Sequence, residues 1–306
     1  MPLLKGYFIF NDTIQTFEVN IEYLLRSLRY LKINFAYLER LLLYLQQHRT
    51  KIKLKIQIHP KYEYLRKDIL DIVAGNYIAD KVYCNKRNTV EKVTIQECEV
   101  VVKKYKTPNI VNQIAYSHLR KSKARRAYEY ALRLLENGVD TPFPIAYIEI
   151  TENGLFKSSY FIAKYTPARL MRDLFTGVIT GEEKKHAIEE LTDFTIATHT
   201  KKILPLDYNP DNIFYTVDKE NGHYSFALTD INRMKFDKEP TLDDALRSFH
   251  QFGAREDTFH EFISYYCKKT NTNIEHAYKK FVAECKKDRS KSKMKRKAKK
   301  VLKISK

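Results

Sequence analysis

The chain is expected to be an α+β protein of two parts, a small antiparallel β-sheet followed by a mainly helical region, with an N-terminal helical extension in front. Three observations predict this. Between residues 51 and 106 the run KIKLKIQIHP alternates apolar and polar side chains, the period of a half-buried strand, and the strand-like runs KVYC, TVEKVTIQ and ECEVVVKKYK follow it. From Ala168 onward most of the chain reads as helices. Set into that helical region is LDYNPDNIFYTVDKENGHYSFALTDIN, residues 206 to 232, two short apolar runs joined by a turn-rich DKENG.

Length and charge bound the answer. A chain of 306 residues with 43% hydrophobic content can bury two cores. Cys84, Cys98, Cys267 and Cys285 form no C-x-x-C pair and do not cluster with His, so neither a zinc site nor a disulfide framework is signalled and a reducing, cytosolic compartment is expected. The net charge is +18, but residues 286–306 hold twelve Lys or Arg against one Asp. The rest of the chain is only moderately basic. No apolar run reaches the ~18 residues that a spanning helix needs, and no signal-peptide pattern is visible.

In order, residues 1–50 open with the strand-like KGYFIF. They continue into an amphipathic helix in which Ile21, Leu24, Leu25, Leu28 and Leu31 recur at helical spacing between Glu22, Arg26, Arg29 and Lys32. That helix suits packing against the protein or lying in a lipid interface. Residues 51–165 form the sheet-bearing part. Its KIKLKIQIHP strand ends at Pro60, a short helix covers Tyr62 to Val73, and strands follow at Lys81 to Cys84, Thr89 to Gln96 and ECEVVVKKYK. The helix ARRAYEYALRLLENG comes next, with Tyr128, Leu132 and Leu135 as its apolar stripe and Gly138 as its stop. Asn153 and Gly154 mark the hairpin between TPFPIAYIEI and SSYFIAKY. In residues 166–285, helices are expected at Ala168 to Phe175, Glu182 to His199, Leu242 to Phe252, Asp257 to Lys268 and Ile274 to Cys285. Residues 286–306 form a self-repelling basic tail for which disorder is the default.

The chemistry concentrates in residues 206–232. Asp207 and Asn212 stand five apart across Pro210, which stops a helix and favours a tight loop. Asn212 opens the run Ile213, Phe214, Tyr215. The run Tyr224 to Thr229 then delivers Asp230, and a hairpin returns it beside Asn212. Two hard oxygen donors can so reach one cation while Asp207 stays free at the loop, the layout of a phosphoryl-transfer site. Asp and Asn in loops containing Pro and Gly are otherwise turn formers.

The D-x-x-x-x-N-I motif with its hairpin and second Asp resembles the protein-kinase-like superfamily. VVKKYK at 101–106, RKSKARRAYEYALRLLENGVDTPFPIAYIE at 120–149, SSYFIAKY at 158–165 and TDINRMKF at 229–236 resemble its lipopolysaccharide core kinase branch, which includes Kdo kinases. The resemblance runs from about Ile56 to Cys285. Departures are Pro205 and Leu206 where His and Arg are usual, Ile231 and Asn232 where Phe and Gly are usual, and no G-x-G-x-x-G, the corresponding turn being NKRNT.

The resemblance implies a two-lobed kinase-like fold binding ATP and Mg²⁺. In it Asp207 is the catalytic base, and Asn212 and Asp230 hold the metal. A strand lysine aligns the phosphates: the family wording favours Lys103, with Lys104 the runner-up on the opposite face of the strand. Glu129 is the helix acid suited to pair with that lysine, and Glu136 is the alternative. Backbone groups near Ala163 to Tyr165 would meet adenine. Arg120, Lys121, Lys123, Arg125 and Arg126 form a cluster able to hold an anionic acceptor or simply a hydrated face. His199, eight residues before Asp207, reads as a helix-end histidine.

The activity implied is Mg-ATP-dependent phosphorylation of a lipopolysaccharide core sugar, Kdo foremost, on a lipid A–Kdo acceptor. The site would be cytoplasmic or peripheral at the inner face of a bacterial inner membrane, with the basic tail touching anionic lipid and no nucleic acid as partner. Two other readings stay open. One keeps the kinase chemistry with a protein or another small molecule as acceptor. The other is a pseudokinase or a basic module that binds membrane or nucleic acid.

Overall fold

The structure is a computed structural model. It describes the backbone of residues 3–10 and 13–20, and residues 51–85, 88–249, 252 and 256–287. The amphipathic helix expected from Ile21, part of the NKRNT turn and the basic tail beyond 287 lie outside the described residues. The chain divides into two compact units, Met1–Tyr128 with Pro144–Tyr165 and Glu129–Phe143 with Thr166–Lys306.

The first unit opens with a hairpin of β1 (Leu3–Phe10) and β2 (Thr13–Asn20), the second of which the sequence reading missed. Its centre is a six-stranded antiparallel sheet of β3 (Ile52–Ile58), β4 (Lys81–Asn85), β5 (Asn88–Ile95), β6 (Cys98–Tyr105), β7 (Pro144–Glu152) and β8 (Leu155–Lys164), ordered β3-β7-β8-β6-β5-β4. Asn153 and Gly154 turn β7 into β8 with φ of 51° and 80°, the pair of left-handed residues that a tight hairpin requires.

One sheet face is covered by α1 (Arg66–Ala74), entered through a 3₁₀ turn at Pro60–Leu65 whose preceding His59 accepts the Lys61 N–H. Ile69 and Ile72 join Ile58, Val93, Val100, Val102, Ile148 and Ile162 in a dry cluster. Each such side chain contributes roughly 1.5–3 kcal/mol when fully buried. After β6 come α2 (Ile110–Ile114), a wide turn at Ala115–Leu119, and α3 (Lys123–Glu136). On the other sheet face Tyr128 of α3 packs on Tyr147 of β7, ring centroids 5.4 Å apart. The stripe of α3 differs from expectation. Ala124, Ala127, Tyr128, Ala131 and Leu134 are buried, while Leu132 and Leu135 are only half-buried. Alanines let a helix approach closely, and in a sequence they carry a weaker apolar signal than leucine. Gly138 ends the helix at φ 62°, as expected, and its carbonyl accepts from Lys201 Nζ at 2.8 Å.

The second unit holds α4 (Asp173–Thr176), α5 (Gly181–Thr200), α6 (Leu242–Phe249), α7 (Glu256–Lys269) and α8 (274–287). Between and before them run short strands: β9 (Arg169–Leu170), β10 (Leu204–Pro205), β11 (Ile213–Val217), β12 (Tyr224–Leu228) and β13 (Met234–Lys235). The helix expected over Ala168 to Phe175 is a correction. Arg169 and Leu170 pair with Tyr215 and Phe214 instead, so only Asp173–Thr176 remains helical.

The core of this unit is aromatic. Phe249 meets Phe262 edge-on at 5.1 Å, and Phe252 stacks on Phe262 at 5.2 Å. His199 lies within it, its Nδ1 3.0 Å from Tyr266 Oη and its ring stacked on Phe249. Burial holds its pKa down at about 4, which agrees with a packing role. Among the described residues no helix is long and apolar enough to cross a membrane.

Candidate active site

Pro210 follows Asn209, whose side chain accepts the Asp211 N–H at 2.9 Å and caps a single 3₁₀ turn, Pro210–Asn212. That turn is the loop predicted from Pro210. It is held at four points. Asn212 Nδ2 donates to the Asp207 carbonyl at 2.9 Å, and Asn209 Nδ2 reaches the same carbonyl at 3.3 Å. Arg172 pairs with Asp211 at 2.7 Å. Tyr208, fully enclosed, lies 2.6 Å from Thr195 Oγ1 on α5 and packs on Phe249 and Phe252; burial raises its pKa. The residue beside Asp207 therefore roots the loop in the core.

The hairpin β11–β12 aligns Ile213 with Leu228, and the Thr229 N–H donates to the Asn212 carbonyl at 2.9 Å. Asp230 follows directly. It adopts φ 50°, a left-handed conformation that Asp tolerates better than most residues but at some cost. Asn232, buried, donates Nδ2 to Asp230 Oδ1 at 2.6 Å. The strand pair β10–β13 then returns the chain: Leu204 aligns with Lys235, and the Leu206 N–H donates to the Arg233 carbonyl at 3.0 Å.

The outcome is a hollow lined by Asp207, Asn212, Thr229, Asp230, Arg233 and Met234 among others, with an internal volume of about 10 Å³, room for roughly one water-sized occupant. All three residues predicted from spacing border it. Asp207 keeps 28% of its side-chain surface exposed. Because Asn212 spends its Nδ2 on the loop, its Oδ1 is the branch available to a cation. One carboxylate and one amide oxygen are hard donors too few to cage a metal alone, and among the described residues no group of three or more His, Cys, Asp or Glu gathers as a metal site. That donor set fits Mg²⁺ brought with a nucleotide, since Mg²⁺ takes one or two carboxylates and completes its shell with phosphate and water.

The remaining candidates lie elsewhere. Lys103 and Lys104 point to opposite faces of β6. Lys103 is half-buried on the α3 face, its Nζ 5.5 Å from the centre of the Tyr105 ring, which Lys123 of α3 also approaches at 5.9 Å. Lys104 is exposed on the α1 face over Tyr160. Glu129, half-buried on α3, belongs to the second unit, and Glu136 is exposed. The Tyr165 N–H, one of the backbone groups expected near adenine, is engaged by the Glu99 carbonyl at 2.9 Å. In the basic cluster, Arg120 donates to Asn112 and lies over Tyr116, and Arg126 Nε lies 3.4 Å from the Ser122 carbonyl.

The sequence reading missed Asn209, Tyr208, Asn232 and Arg233 as site-forming residues. The i to i+2 spacing of Asp230 and Asn232 was its one visible signal, and it had been read only as a departure from Phe-Gly.

No family model and no curated protein sequence matches the chain. Among solved structures it is similar to "WaaP in complex with acyl carrier protein", with a TM-score of 0.51 and 14% sequence identity, covering 80% of this chain and 98% of that one. The fold is α+β, two-lobed and protein-kinase-like. At that identity the likeness speaks for the architecture alone, and the site rests on the residues described above.

Proposed function

We propose that this chain is a Mg-ATP-dependent kinase that phosphorylates a hydroxyl of a lipopolysaccharide core sugar, with Kdo as the acceptor. The observation that carries the chemistry is the gathering of Asp207, Asn212 and Asp230 around one small hollow in a chain of kinase-like fold. The acceptor class rests on the block resemblances at 101–106, 120–149, 158–165 and 229–236.

In this reading Asn212 Oδ1 and the Asp230 carboxylate would hold Mg²⁺, and the ion would supply charge neutralisation on the transferred phosphoryl group. Asn232 keeps the Asp230 carboxylate oriented. Lys103 rather than Lys104 would serve the phosphates, the choice that the wording of VVKKYK at 101–106 favours. Asp207 Oδ would accept the proton of the acceptor hydroxyl as that hydroxyl's oxygen bonds to the γ-phosphorus of ATP and the bond from that phosphorus to the bridging oxygen breaks, ADP leaving with the electron pair. Asn209, Asn212 and Tyr208 hold that carboxylate's loop still, so that little reorganisation is needed at the reacting atom.

The test is ADP formation with Kdo and Kdo-bearing lipid A precursor, compared with bulk protein as acceptor. Transfer to the sugar that depends on Mg²⁺ and disappears in Asp207→Asn supports the proposal. Transfer to protein alone would move the acceptor assignment to the second reading.

A further inference from the structure

Several basic side chains around the second unit's loops pair with a carboxylate at short range. Arg172 meets Asp211 at 2.7 Å, Arg169 meets Asp173 at 2.8 Å, Lys235 meets Asp244 at 3.4 Å, and Arg133 bonds Asp237. Arg233 differs. Its Nη1 stands 4.0 Å from Asp207 Oδ2, beyond hydrogen-bond length, and its side chain is 58% exposed. Its backbone is fixed all the same, because the Leu206 N–H holds its carbonyl and the next residue enters β13. A guanidinium fork thus stands at the rim of the hollow, fixed at its backbone and reaching Asp207 by a 4.0 Å ion pair without a hydrogen bond, beside the carboxylate proposed to receive the acceptor's proton.

The fork is 58% exposed beside the carboxylate that the acceptor's hydroxyl must face, so an oxyanion on the acceptor can reach it. It takes the fork through two parallel charge-assisted hydrogen bonds, which fix orientation as well as position, and leaves a hydroxyl of the same sugar facing Asp207.

We infer that Arg233 is the acceptor-anchoring residue of this site and that the acceptor carries a carboxylate or phosphate on the same sugar as the hydroxyl that reacts. This rests on the kinase reading for the role of Asp207, whereas the anion-binding fork stands on its own geometry.

The experiment separates the two. Wild type, Arg233→Lys and Arg233→Ala are titrated calorimetrically, with a non-hydrolysable ATP analogue and Mg²⁺ present, against Kdo, Kdo methyl ester, mannose 6-phosphate and mannose. ADP formation with the same four compounds is then measured. The expected result is that wild type binds at least one charged member more tightly than its neutral counterpart. Arg233→Ala should lose about 10- to 100-fold of that affinity, and Arg233→Lys should fall between. Neutral-sugar affinity and nucleotide affinity should stay within about twofold. Preference for Kdo or for mannose 6-phosphate tells carboxylate from phosphate. Selective oxyanion binding without turnover would keep the anchoring role and sink the kinase reading. Turnover that Arg233→Ala reduces equally for charged and neutral acceptors, or wild-type binding that does not distinguish charge, would overturn the anchoring role and leave the kinase reading standing. Failure of all four compounds to bind would also overturn it.

Discussion

Asn212 donates its side-chain amide to the main-chain carbonyl of Asp207 at 2.9 Å, so the residue assigned to the metal also closes the loop bearing the assigned base. The two roles can be pulled apart. Asn212→Asp keeps an oxygen for the cation and loses the donor, whereas Asn212→Ala loses both. Asn212→Asp should retain Mg-dependent nucleotide binding while losing about 1 kcal/mol of stability, and Asn212→Ala should lose both properties. Equal nucleotide affinities in the two variants would remove Asn212 from the metal site.

Asp207→Asn preserves shape and removes the proton acceptor. Turnover should drop about 10²- to 10⁴-fold with Mg-ATP affinity unchanged, measured by single-turnover kinetics and direct titration. A wild-type rate in this variant is incompatible with the base assignment.

Asn232 donates its side-chain amide to the carboxylate of Asp230, whose backbone is left-handed. Asn232→Ala frees the carboxylate to rotate and removes a buried donor. The Mg²⁺ concentration for half-maximal nucleotide binding should rise severalfold, with a modest fall in Tm. If only the Tm moves, Asn232 supports the fold and not the ion.

Lys103 and Lys104 give an internal control, because adjacent strand residues face opposite ways. Lys103→Ala should weaken nucleotide binding and Lys104→Ala should not. The reverse result would place the phosphates on the α1 face of the sheet.

His199 links stability to pH. Its folded pKa of about 4 lies below the ordinary 6.5 because burial disfavours the cation. The unfolded chain therefore takes up a proton that the native state refuses. Stability is full above about pH 6.5 and falls as pH drops toward 4, by about 2 kcal/mol between pH 7.5 and 5. His199→Phe should flatten the dependence of Tm on pH in that window, whatever its effect at pH 7.5. A variant profile parallel to wild type would exclude His199 as the source.

Much of this was legible in the residues because it is local. Pro210 dictates a turn, DKENG dictates a hairpin, and together they bring Asp207, Asn212 and Asp230 to one place. What escaped depends on partners distant in sequence. β10 and β13 are two residues each, too short for any period, and exist because each is the other's partner. Arg169 and Leu170 could have continued a helix, and β11 draws them into a sheet. The face of α3 is hard to read because its burial follows Ala124, Ala127 and Ala131, which signal an apolar stripe less strongly than leucine.

The hollow is written within about thirty consecutive residues, from Pro205 to Met234, and apart from the ties of Asp211 to Arg172 and of Tyr208 to Thr195 its hydrogen bonds run within that stretch. Contacts of short separation close with little loop entropy and form early. After denaturation, this corner of the second unit should recover before the six-stranded sheet, whose β3 must find β7 across about ninety intervening residues.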